Sequence, residues 1–170
     1  GKRYLKDKLL HPTTDTKYLN SEYDIIEHFV NNWEKHSHLR TTLKKIKDIE
    51  YLYRKIIFKK IYPNELSEFY KNIIIIREIH NKLKEDNIIK KYLEKNIKID
   101  ILDVSNRLMK FLEEKLKLDI CEDISDKNYT KNFFQPNVKK ILDKKNKEIL
   151  VVNRKKNKLL KYLNEFVCAG

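Results

Sequence analysis

The sequence predicts an all-α, multi-helical protein with a long C-terminal helix, and three observations carry that expectation. Glycine occurs only at Gly1 and Gly170, so the tight two-residue turns of β-hairpins, which need positive φ, are disfavoured. Proline occurs at Pro12, Pro63 and Pro136 and punctuates long stretches that are otherwise uninterrupted. Between the prolines the apolar residues recur at steps of three and four, which is the period of one helix face.

Taken in order, Lys2–Leu10 reads as a short helix carrying Leu5, Leu9 and Leu10 and stopped by Pro12. Thr13-Thr14-Asp15 supplies N-cap chemistry for a second helix, whose apolar face reads Leu19, Tyr23, Ile26, Val30 and Trp33. Ser37 is expected to cap a third, running through Leu39, Leu43 and Ile46. Asp48 opens a fourth with Ile49, Leu52, Ile56 and Lys60 on one face and Tyr53 and Ile57 beside it. Pro63 suits the first position of a long fifth helix, with Glu65 in the first turn where the helix dipole favours a negative charge. Its run Ile73-Ile74-Ile75-Ile76 would also suit a short strand, but Leu66, Phe69, Tyr70, Ile73, Ile76 and Leu83 keep helical spacing. A helix buried on more than one side is the expectation. A shorter helix follows near Asn87–Lys95. Another, Asp100 to Leu118, carries Ile101, Val104, Leu108, Phe111, Leu112 and Leu116.

Asp119–Thr130 is acidic, then polar, and reads as a loop. From Val138 onward, steps of four and three pick out Val138, Leu142, Lys145, Ile149, Val152, Lys156, Leu159, Leu163 and Phe166. A stripe that narrow is a seam for one partner helix, not a face buried all round. At ~1.5 Å per residue such a helix projects about 45 Å. With no repeat and no low-complexity linker, residues 1–170 read as one domain. Its parts are a helical body (1–118), a connecting loop (119–136) and the start of the long helix (137–167).

Composition narrows the function. Without interior glycine there is no G-x-x-x-x-G-K-[ST] phosphate loop and no G-x-G-x-x-G turn, so the chain is expected to hold no ATP and to have no cofactor. The longest stretch free of charge, Asn132 to Val138, is far short of the ~20 residues that span a bilayer. The N-terminus lacks an apolar signal region, so an intracellular protein without membrane contact is expected. Cys121 and Cys168 are idle thiols in this reading. A net charge of +13 invites a nucleic-acid partner. However, lysine, isoleucine and asparagine are abundant while alanine occurs once, as in a chain encoded by an A+T-rich genome. Much of the lysine is then a solvated helix face. His36-x-His38 is too close for one helical face, and His11, His28 and His80 stand isolated in sequence, so no metal site is expected. Glu113-Glu114 and Glu122-Asp123 have no cleft-forming loop beside them, and no catalytic residue is assigned.

The first third of the chain carries a pattern. Gly1-Lys2-Arg3-Tyr4-Leu5, Leu9-Leu10-His11-Pro12-Thr13-Thr14-Asp15, Leu19-Asn20 and Tyr23-Asp24-Ile25-Ile26, closed by Phe29, resemble the opening of the core (lever) domain of the MutS family of DNA mismatch-repair ATPases. Leu43-Lys44-Lys45-Ile46-Lys47-Asp48-Ile49-Glu50-Tyr51-Leu52, with Arg54 close behind, resembles a second family segment at the right distance. Lys8 stands where the family has Trp, Glu22 where it has Arg, and Lys47 where it often has Pro.

The resemblance implies a structural relay between a DNA-gripping clamp and an ATPase domain. Arg3, Leu5, Leu10, Pro12, Asp15, Asn20, Asp24, Asp48 and Arg54 would be structural motif residues. Val138, Leu142, Ile149, Val152, Leu159 and Leu163 would form the lever seam. The same resemblance implies double-stranded DNA, other domains of one polypeptide and a second MutS-like subunit as partners, with ATP and Mg bound elsewhere in the parent protein. The alternatives are a free-standing basic helical module that grips nucleic acid, and a scaffold whose seam pairs with another protein's helix.

Overall fold

A computed structural model of the chain describes residues 2–125 and 132–167. The expectations placed on Gly1, on 126–130, on the Phe166 side chain and on Cys168 lie outside the described residues or side chains. The described residues are helical nearly throughout. The elements are α1 (Lys2–Leu10), α2 (Thr16–Asn31), α3 (Trp33–His36), α4 (His38–Leu43), α5 (Ile49–Ile57), α6 (Pro63–Lys84), α7 (Asn87–Asn96), α8 (Ile101–Lys115), α9 (Leu118–Glu122) and α10 (Lys140–Val167). Extended pairing among them is confined to a single antiparallel bridge, Leu116 with Phe134. The all-α expectation holds.

Local chemistry explains the boundaries. Asp15 caps α2, its Oδ1 accepting from the amides of Lys17 (3.0 Å) and Tyr18 (3.1 Å). Asp86 does the same for α7 through Ile88 (3.0 Å) and Ile89 (3.4 Å). Pro63 begins α6. Asp100 opens α8 by accepting from Leu102 and Asp103, and the Asp103 amide foremost holds its carboxyl below the usual range.

Several expectations need correction. Ser37 does not cap α4: its hydroxyl donates to the Glu34 carbonyl (3.0 Å), and α4 stops at Leu43, leaving Ile46 outside. Lys60 is not on the face of α5, because Lys59 takes a left-handed conformation (φ 54°) and ends the helix. The amides of Lys60 and Lys59 then bond back to the carbonyls of Lys55 (2.9 Å) and Ile56 (3.0 Å), a Schellman closure with lysine where glycine is usual. α8 ends at Lys115, since the backbone of 115–117 pairs with 133–135. The segment after it is not all loop, because α9 forms and buries Cys121 completely. The long helix starts at Lys140: Val138 is not helical, and it follows Asn137, which has φ 67° and donates its amide to Asp143 Oδ2 (2.9 Å).

The packing divides into two compact units, Gly1–Asp48 with Asn72–Ser105, and Ile49–Lys71 with Asn106–Gly170. Two of the boundaries fall inside α6 and α8, which is why no linker marks them in the sequence. The first unit is centred on Ile25, Ile73 and Ile89, together with buried His36, Asn72, His80, Asp86 and Ser105. There Asn72 accepts from the Lys47 amide (2.9 Å), fastening the chain before α5. The second unit buries Leu52, Ser67, Leu112, Leu116, Cys121 and Ile124. In it Lys55 pairs with Glu65, and Lys71 with Glu122 (2.8 Å).

Two amphipathic readings also change. The face expected for the second helix is largely solvent-exposed, at Tyr23, Ile26 and Val30 on α2 and at Trp33 on α3, whereas Ile25 is buried. The packed side of this helix is partly polar, with Glu22 accepting from the Tyr92 hydroxyl and His28 bonded to Asp86, and hydrophobic period is blind to such pairs. On α8, Leu108 and Phe111 are exposed while Ser105 and Leu112 are buried, as is Leu116 just beyond its end.

Candidate functional site

Two of the motif residues meet in the fold. Arg3 on α1 and Asp48 before α5 lie 45 residues apart, yet Arg3 Nη1 donates to Asp48 Oδ1 at 3.0 Å and Nη2 donates to Oδ2. This two-pronged pair joins the two segments that carry the resemblance. It is half exposed, so it sets geometry more than stability. Asp15 is the cap already described, and Arg54 lies 3.6 Å from Glu50 one turn back on α5. Leu5, Leu10, Pro12, Asn20 and Asp24 are exposed in the first unit. Two departures from the family pattern have local partners. The Lys8 ammonium sits over the rings of Tyr18 (5.1 Å) and Tyr4 (5.5 Å), and Glu22 holds Tyr92. Burial, then the Glu22 bond, push the Tyr92 phenol upward.

The seam residues lie in the open. Leu142, Ile149, Val152, Leu159 and Leu163 are 36%, 54%, 62%, 60% and 48% exposed, and every side chain from Lys147 to Asn164 is exposed. Ile141, Leu150, Val151, Leu160 and Tyr162 are exposed as well, so the apolar surface of α10 is broader than one stripe. The same helix carries nine Lys or Arg against three Asp or Glu.

A cleft of about 250 Å³ lies between His80, Lys84, Leu93, Glu94 and 97–101, and burial foremost lowers the His80 pKa there. Cys121 is inert, since burial, and secondarily Asp119, pushes its thiol up to about 11. The histidines are not all isolated: His28 Nε2 lies 3.0 Å and His36 Nε2 3.7 Å from Asp86 Oδ2. Reading the chain in one dimension missed this cluster, because its members come from α2, α3 and the residue before α7.

A family model described as MutS domain III matches residues 1–168. The chain belongs to the MutS domain III family. Among its relatives is a DNA mismatch repair protein mutS homolog of Acanthamoeba polyphaga mimivirus, 31% identical over 99 residues, or 57% of this chain and 9% of that protein. The DNA mismatch repair protein MutS of Caldanaerobacter subterraneus subsp. tengcongensis is 27% identical over 115 residues, covering 59% of this chain and 13% of its own length. The MutS of Fusobacterium nucleatum is 29% identical over 108 residues, covering 64% and 12%. This MutS domain III chain thus aligns with about a tenth of the length of each relative. No solved structure matches it significantly. No helix among its described residues is long and apolar enough to cross a membrane.

Proposed function

We propose that this MutS domain III chain is the structural relay of a larger mismatch-recognition protein, linking a DNA-binding clamp to an ATPase domain. ATP and Mg would be bound by that ATPase domain, and the parent would work as a dimer. The observation that supports the reading is the domain III match along nearly the whole chain, on a body whose last helix keeps its apolar residues in solvent. A relay needs stiff helices and a surface for a partner helix, and it needs no reactive group of its own.

The coding region that contains this chain is expected to encode a Walker A motif downstream, and a reading frame that closes without one refutes the assignment. A second expectation concerns DNA. The net charge of +13 should give the isolated chain a weak affinity for duplex DNA that falls steeply as salt rises. Titration with labelled homoduplex and mispaired duplex should give the same Kd within about twofold, because phosphate contacts carry no sequence information. A clear preference for the mispaired duplex at physiological salt would overturn the relay reading in favour of a base-reading module.

A further inference from the structure

We infer that His28, His36 and Asp86 form a site for one divalent transition-metal ion, zinc being the natural probe. The three ligand atoms lie within 4.8 Å of one another, in the first compact unit. In a tetrahedral zinc site with bonds of about 2.0–2.1 Å, neighbouring ligand atoms stand about 3.3 Å apart. The two distances to Asp86 Oδ2, 3.0 Å from His28 and 3.7 Å from His36, bracket that value.

An independent observation points the same way. His36 is 6% exposed and packs edge-on against Phe29 (5.0 Å), yet its Nε2 has no hydrogen-bond partner among the described residues. A buried ring nitrogen aimed at a carboxylate without a bond is what a ligand atom awaiting an ion looks like, and burying it unpaired is otherwise unfavourable. The carboxylate is ready to ligate. Its Oδ1 is engaged in capping α7, so Oδ2 is the oxygen offered.

The surroundings accommodate the ion. His36 also borders a surface cleft with Lys35, His38, Lys82 and Glu85, so the ion has only a short distance to travel from solvent, and a water would be its fourth ligand. When His28 ligates through Nε2 its ring proton sits on Nδ1. Asn32, 3.4 Å from Nδ1, can turn its amide oxygen to accept that proton, in place of the bond it gives the His28 carbonyl. The Lys35 ammonium, 3.3 Å from Oδ2 on a largely exposed stem, competes for the same oxygen and swings into solvent when the ion arrives.

The test is calorimetric titration of the 170-residue chain, stripped with chelator, with zinc chloride. One ion per chain is expected, with a Kd of about 1 µM or tighter. His28→Gln and His36→Gln should each weaken binding at least about tenfold, His38→Gln should leave it unchanged, and Lys35→Met should tighten it. Should a buried-histidine variant fail to fold, NMR of the wild-type chain decides: zinc should shift the ring resonances of His28 and His36 and not those of His11. Absence of saturable binding up to about 100 µM zinc, or shifts at other histidines only, would overturn the inference. The outcome is independent of the DNA titration, so the site and the relay reading stand or fall separately.

Discussion

Replacing Asp86 by alanine is expected to destabilise the chain by about 3–5 kcal/mol, the usual loss when one partner of a buried charge cluster is removed. This single carboxylate does two jobs in the first unit. Oδ1 caps α7, a role worth about 0.5–2 kcal/mol by itself. Oδ2 meets His28 and Lys35, and without it the half-buried His28 and buried His36 rings lose the one acid of their cluster. Asp86→Asn keeps the cap but not the charge, so its loss should be smaller, about 1.5–3 kcal/mol. Urea unfolding in chelator, read as a shift in midpoint at unchanged slope, measures both. Because the folded pKa is depressed, the carboxylate's contribution is complete above the unfolded value of about 3.9 and fades as pH falls below it. The gap between wild type and D86A should therefore narrow below about pH 4. A D86A loss under about 1 kcal/mol at pH 7 would show that the cluster is not central to this unit.

The second large effect concerns α10. In a proven monomer, its backbone amides from Ile149 to Tyr162 should exchange at least about 100-fold faster than those of α6 around Ile73, equivalent to about 3 kcal/mol. The two helices carry similar shares of apolar residues but differ in burial. α6 places Ser67, Asn72, Ile73 and His80 out of solvent, whereas α10 has every side chain from Lys147 to Asn164 exposed. A helix without tertiary packing keeps only its marginal intrinsic stability, and this one contains no alanine to raise it. Its apolar residues should also drive self-association as concentration rises, slowing exchange in step. Equal protection of α10 and α6 in the monomer would mean that α10 belongs to a closed core, and the seam assignment would fall with it.

Much of the fold was legible because helix ends are decided by local chemistry. Pro12 and Pro63, Asp15, Asp86 and Asp100 act within one turn of themselves, so their effect can be read from neighbours in the chain. The motif segments around Arg3 and Asp48 were visible as spacing, and their two-pronged pairing agrees with it. Where backbone geometry sets a helix boundary instead, as at Lys59 after α5 and Asn137 before α10, hydrophobic period does not show it, and Lys60 and Val138 fall outside the helices.

The sequence by itself determined the helical class, most helix boundaries and the family, because these depend on short-range period and on motif residues at fixed spacing. Only the tertiary structure decided which face of α2 points inward, since Glu22 and His28 pack half-buried on the side of Ile25 through partners on or next to α7, some 58 to 70 residues away. It alone brought His28, His36 and Asp86 together. A hydrophobic stripe marks what a helix can bury, but a polar group is buried only where a distant partner satisfies it, and that partner is chosen by the packing.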